Sequence, residues 1–564
     1  MERVSTFDPL KKAAVRYREE CLEVPESTTL HTLASSREKC GCGWEAPIAA
    51  MVDNRLMTLA SYVYEGADIK PVFAWEPEGR RVYRRSLTIL LQAACRVLYP
   101  DLRLIVGQSL AGGYFYLWKG DPPLSEQTMA ALERKMRDLV TQDLPVTLER
   151  WGVRHAMEEF KEAAMKNRLQ LLRTWWHETI KLVRLGDYFD IYHGPVAPST
   201  GCTPYFSLRL YPPGIILQFP EGKKGKNPTG RQEVVKQLFD VYMETSEWNK
   251  IVAVSNIGQL NDHVLSGGID ELIRVVEGLH EKKVASIADM AVEKKNARLI
   301  LIAGPSSSGK TTFSKRLGVQ LKVAGKNPVT ISIDDYYVNR DKTPRDERGE
   351  YDFESVHAID LPLLNMHLME LLEGKDILSP RYSFEKGERV AEDKWKRIRL
   401  QGNDVIVMEG IHGLNEKLTA DVPDADKFKI YVSALSQLSL DDVNRISTTD
   451  VRFIRRIVRD RLYRGYSADY TIEKWPSVKR GEARNLFPFQ HEADVMFNSA
   501  LPYELCVLKM YAEKFLLEVP KDSPSFMEAY RLLKFLNLLV PIFPDRVPHN
   551  SIIREFIGGS FFKY

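Results

Sequence analysis

The segment 297–304 (ARLILIAG) is an apolar run, unbroken from Leu299 and ending in glycine, and together with the loop immediately after it this run constrains the chain more than any other feature. Such a run suits a strand buried on both faces of a parallel sheet. Directly after it come Gly304, Pro305, Ser306, Ser307, Ser308, Gly309, Lys310, Thr311 and Thr312, a full match to G-x-x-x-x-G-K-[ST]. A helix-like segment, FSKRLGVQLKV, comes next. Glycines let backbone N–H groups turn inward around phosphate oxygens, and the helix adds its positive N-terminus. Lys310 is then placed for the β- and γ-phosphates of ATP, and the Thr311 hydroxyl for Mg²⁺.

Further apolar runs, PVTISI and DVIVMEG, alternate with helix-like segments such as LPLLNMHLMELLEG, which predicts a doubly wound α/β fold. Two of these runs end in acid. Glu409 closes the DVIVMEG run, where such a sheet delivers a carboxylate to the Mg²⁺ shell. Asp334 and Asp335 follow SI, and phosphoryl transfer to an alcohol needs a carboxylate that orients the hydroxyl and takes its proton. Either aspartate suits that role; a cap on the next segment is the favoured reading for Asp335. Farther on, Arg452, Arg455, Arg456 and Arg459 recur at helical spacing, which we read as a lid closing over phosphates rather than a solvated face.

At 564 residues the chain exceeds what one core serves, so at least two domains are expected. A net charge of +3 gives no argument for a nucleic-acid partner, and Lys223, Lys224 and Lys226 read as a solvated loop. Six cysteines without repeated C-x-x-C spacing read as reduced thiols of a cytoplasmic protein, Cys40 and Cys42 included. The N-terminal residues mix both charges without an apolar stretch, so no secretory signal is expected. The apolar stretch from Leu532 to Phe543 is too short and polar to span a bilayer. Alternating runs between Thr28 and Val72 predict a small β module, and from Arg80 two amphipathic helices and loop-rich β segments predict an α+β domain. The charged helical stretch from Ile269 to Asn296 reads as a connector.

The set GPSSSGKTT, SIDDYY, YDFESVHAID, SPRYSF, MEGI and RRIVRDR resembles the uridine kinase and phosphoribulokinase family over about 297–515. The resemblance implies an ATP- and Mg²⁺-dependent kinase of a small-molecule hydroxyl, with a nucleoside first and another sugar or polyol as the alternative acceptor. It makes Asp334 the base and Glu409 a metal holder. Arg456, Arg459 and Arg464 become phosphate contacts, and Glu354 part of a sugar-binding stretch. Tyr382 and Phe384 offer rings for stacking on a flat acceptor. Gly387 stands where uridine kinases carry a histidine that touches the pyrimidine, so base reading of that kind is not expected.

The first half is similar to threonyl-tRNA synthetases: His31 to about Val72 to their β-grasp TGS module, and Arg80 to about Asp262 to their editing-type domain, most clearly at HGPVAPSTG. Working editors hold a metal through four ligands; Arg85, Ile89, Tyr192 and Val196 stand here instead, so no catalytic zinc is expected. The expected organisation is a TGS-like module at 1–75, a synthetase-like domain at 76–265, a helical connector at 266–296, the kinase domain at 297–515 and a helical tail at 516–564. A small acceptor is the expected partner and no membrane partner is expected; the sequence leaves open whether copies of the chain associate. RNA at the first half, with the phosphate loop as a switch, is the rival class.

Overall fold

Five parallel strands form the sheet of the second half: β1 (Leu299–Ala303), β2 (Asn327–Ser332), β3 (Asp404–Glu409), β4 (Lys427–Ser433) and β5 (Val495–Asn498). Their order is β2-β3-β1-β4-β5, and every neighbouring pair is parallel. This computed structural model describes residues 11–563 apart from 39–43, 221, 223–227, 229–233, 295, 346–348, 350 and 384–385. Cys40, Cys42, the basic loop at Lys223, Lys224 and Lys226, and Phe384 lie outside the described residues.

All residues of β1 and β4 are buried; β1 (LILIA) is apolar throughout, as a strand covered on both faces requires, whereas β4 (KFKIYVS) also buries Lys427 and Lys429, which pair with Glu416. The chain leaves β1 through α1 (Lys310–Val323), passes over β3 to reach β2, and later returns from β3 to β4 on the other side of β1. Connections therefore diverge from β1 and β3, which opens a crevice at the carboxyl ends of those strands. The second half also contains α2 (Leu361–Leu372), α3 (Thr448–Tyr463), α4 (Ala468–Asn485) and α5 (Glu504–Leu517).

The N-terminal module is a five-stranded sheet in the order Glu20–Pro25, Lys12–Tyr17, Asp68–Phe73, Pro47–Val52 and Arg55–Met57, with the helix Leu30–Arg37. It begins at Lys12, ahead of the runs read from Thr28, because KAAVRY buries every second side chain. The helix Pro77–Leu98 and the Ser125-capped helix Glu126–Thr141 follow, with one four-stranded and one three-stranded sheet.

Apolar packing runs across the expected boundaries at 265, 296 and 515. One cluster joins Phe160 and Leu171 of the first half to Ile273 and Ile287, then to Phe313, Val507, Leu532 and Ile553. The helix Ile269–Glu293 is thus a covering layer of the five-stranded parallel sheet as well as a connector, and its Glu281 holds Arg316 of α1 at 2.7 Å. The halves also meet along 434–447, the stretch leading from β4 into α3. There Asp442 pairs with Arg103 at 2.8 Å and Arg168 at 3.4 Å, while His193 of HGPVAPSTG lies 3.2 Å from Asp441.

Candidate active site

The phosphate loop sits between the end of β1 and the start of α1. Gly304 is required by close approach: a Cβ there would stand 2.0 Å from the Val432 carbonyl oxygen of β4. Lys310 Nζ folds back to donate to the carbonyls of Gly304 at 2.8 Å and Pro305 at 3.1 Å. Burial pushes the pKa of this ammonium down, and the nearby carboxylates of Glu409, Glu555 and Glu482 oppose that push. The hydroxyls of Ser307 and Ser308 are buried with no hydrogen-bond partner among the described residues. A cradle of unsatisfied donors around a lysine fits a polyphosphate.

Strand register brings the acids to the same place. Glu409 pairs with Ile302 of β1 on one side and Ser332 of β2 on the other, so Asp334, two residues past Ser332, shares its edge of the sheet. One oxygen of Glu409, Oε2, is buried without a hydrogen-bond partner among the described residues, and the Thr311 hydroxyl bonds to this carboxylate. An orphaned carboxylate oxygen beside a hydroxyl is a donor set that suits a hard divalent cation. Burial raises the pKa of Glu409 and Asp334, and Lys310 counters both shifts. Asp335 is turned away, accepting from the Tyr382 N–H at 3.2 Å. This tie reaches a strand 47 residues farther on and is not the cap on the next segment favoured for Asp335 from the sequence.

The arginine helix differs from a free lid. Arg452 is buried in a bidentate pair with Glu482 of α4 at 2.8 and 2.7 Å. Arg455 is fully buried, donating to Glu504 at 2.6 Å and the Ser499 carbonyl at 2.8 Å. These two cannot sweep over a phosphate, since each is held by packed helices. Arg456 and Arg459 approach Asp460 at 3.1 and 2.9 Å, and the exposed Arg464 does so at 3.7 Å. Three guanidinium groups on one carboxylate leave positive charge beside the phosphate loop, and Arg456 also donates to the Ser306 hydroxyl at 2.8 Å.

On the acceptor side, Glu354 packs against Gly481 of α4 and its carboxyl pKa is pushed up to about 7, by burial first and by Glu482 second. Tyr382 is buried, its ring 5.6 Å from that of Tyr337. Gly387 adopts φ +73, and a Cβ on it would come within 2.5 Å of Arg340 Nε, so the guanidinium of Arg340 covers this turn.

Known proteins match both halves of the chain. Residues 299–504 match the phosphoribulokinase / uridine kinase family. A uridine kinase of Halobacterium salinarum is 30% identical over 196 residues, which are 35% of this chain and 77% of that protein. The chain belongs to the phosphoribulokinase and uridine kinase family. A candidate uridine kinase from Bacillus stearothermophilus, solved as a structure, is 22% identical over 38% of this chain and 98% of that one, with a TM-score of 0.24. The N-terminal part is similar to threonine–tRNA ligases, as in that of Alkalilimnicola ehrlichii, 29% identical over 180 residues, 32% of this chain and 28% of that protein. The chain thus spans about a quarter of the length of the ligases it matches.

In this family member, sequence reasoning missed two carboxylates at the phosphate loop. Glu482 accepts from the Ser306 N–H at 2.8 Å, and Glu555 accepts from Thr312. Both lie far from the loop in sequence, Glu555 in the tail VPHNSIIREFIGG. His412, three residues past Glu409, was also missed; both ring nitrogens are buried without a hydrogen-bond partner among the described residues, and burial pulls its pKa down to about 4. At the positions of the editing-type ligands, the Arg85 guanidinium donates to the Pro195 carbonyl at 2.7 Å.

Proposed function

We propose that this protein transfers the γ-phosphoryl group of ATP to a hydroxyl of a small molecule, with the 5′-hydroxyl of a nucleoside as first candidate. The reading rests on one juxtaposition: Lys310 and the phosphate loop, Glu409 with Thr311, and Asp334 meet at one edge of a single sheet. Asp334 takes the proton as the acceptor oxygen bonds to the γ-phosphorus and the bond to the β–γ bridging oxygen breaks. Lys310 and the phosphate-loop N–H groups hold the phosphate chain, and Arg456, Arg459 and Arg464 offset charge on the transferring group. A divalent cation, held by Glu409 and Thr311, would neutralise phosphate charge.

Glu354 is suited to hydrogen-bonding ribose hydroxyls, which favours a nucleoside. Arg340 over Gly387 favours the second reading, a sugar or polyol, because no histidine fits at that turn to read a base edge. A site without such a partner discriminates weakly among bases, so nucleosides should differ in kcat/KM by less than roughly a hundredfold. A panel of nucleosides, pentoses and polyols assayed for ATP-dependent phosphorylation decides between the two. Turnover of polyols alone would remove the nucleoside reading. Stimulation of ATP hydrolysis by tRNA with no small acceptor would replace both with an RNA-linked role for the first half.

A further inference from the structure

The C-terminal segment 547–558 ends its course against the phosphate loop. Its Ile552, Ile553 and Phe556 are buried, the Arg455 guanidinium of α3 lies 5.0 Å from the Phe556 ring centroid, and a Cβ on Gly309 would meet Ile552 Cγ2 at 2.5 Å. Arg554 ties the segment to the turn before it and to its own end by donating to the carbonyls of Pro544 at 2.9 Å and Gly558 at 3.1 Å. This anchoring presents Glu555 to the first turn of α1. One oxygen, Oε2, accepts from the Thr312 hydroxyl at 2.8 Å and from the Thr312 N–H at 3.1 Å.

Those donors matter because α1 is capped by Gly309, which has no side chain to satisfy the first-turn N–H groups. In a phosphate loop the same N–H groups cradle the α- and β-phosphates. A carboxylate there satisfies the helix end and its dipole in the way a phosphate oxygen does. It also stands near Lys310 and Glu409, so it adds negative charge where a polyanion must enter.

We propose that Glu555 is an internal competitor for the phosphate chain: its carboxylate holds the Thr312 donors in the nucleotide-free protein and must rotate away for ATP to bind. The proposal rests on the nucleotide reading above. Its effect is to weaken ATP affinity and to favour ligands with enough phosphate charge to displace a carboxylate. The backbone of 547–558 stays packed while the side chain turns, because the buried isoleucines and Phe556 do not take part in the exchange.

The test compares Mg·ATP binding by calorimetry in the full chain and in its Glu555→Ala and Glu555→Gln variants. Releasing a charge-assisted hydrogen bond should tighten ATP binding by about tenfold or more in Glu555→Ala and by less in Glu555→Gln, which keeps an acceptor but no charge. The ATP-free variant should melt lower than the wild type, and the Tm increase on adding ATP should be larger in Glu555→Ala. Unchanged or weaker ATP binding with a lower Tm would make Glu555 a tertiary helix cap only and overturn the proposal while leaving the nucleotide reading intact. Absence of ATP binding in all three proteins would overturn both.

Discussion

Lys310 and Asp334 carry different parts of the proposed reaction, and their replacement should separate chemistry from folding. Lys310→Ala removes positive charge from the phosphate chain and Asp334→Asn removes the proton acceptor, so each should lower kcat by about a hundredfold or more. Asp335→Asn should cost far less in kcat, since its carboxylate holds the Tyr382 backbone. Steady-state rates on purified variants with unchanged circular dichroism check all three; near-normal turnover in Asp334→Asn would move the base elsewhere. Glu354 gives a prediction about pH. Its pKa rises from 4.5 to about 7 on folding, so between those values the folded state binds the extra proton and stability falls as pH climbs. Glu354→Gln removes a charge buried at a cost, and should therefore raise Tm at pH 8 by about one to a few degrees while leaving Tm near pH 4.5 almost unchanged. Equal shifts at both pH values would refute this account of Glu354.

At the scale of elements, the phosphate loop is shaped by helices that the motif does not include. Glu482 on α4 joins the Ser306 N–H of the loop to Arg452 on α3, and all three are held by bonds of 2.7 to 2.8 Å. Removing one partner of a buried pair leaves the other charge uncompensated, at about 3–5 kcal/mol. Glu482→Ala should therefore destabilise the protein by that order and raise the KM for ATP, as read from denaturant unfolding and from kinetics. A KM unchanged alongside the lost stability would show that Ser306 keeps its place without Glu482. Sequence periodicity put arginines on α3 but could not say which were buried, because Arg452 and Arg455 differ from Arg456 and Arg459 only in what packs against each face.

Across the whole molecule, the five-stranded parallel sheet shares its core with both flanking parts of the chain. Cutting at 297 and 515 would strip Ile273 and Ile287 from one side, and Leu532 and Ile553 from the other, exposing their partners to water. The fragment 297–515 should accordingly aggregate or unfold without a cooperative transition in calorimetry, whereas the full chain unfolds cooperatively; a stable monomeric fragment would show the flanks to be dispensable. What the sequence determined by itself was local: an apolar run, glycines and a lysine at fixed spacing dictate strand, loop and helix, and acids at the ends of apolar runs dictate which edge of the sheet carries chemistry. The β-grasp start at Lys12 is legible too, in the alternation of KAAVRY, although it precedes the runs read from Thr28. Only the tertiary structure decided that the helix Ile269–Glu293 covers the sheet, that Glu482 and Glu555 reach the phosphate loop, and that Arg340 fills the turn at Gly387. Those contacts join residues far apart in the chain, and such pairings are set by packing rather than by any period or spacing the sequence displays.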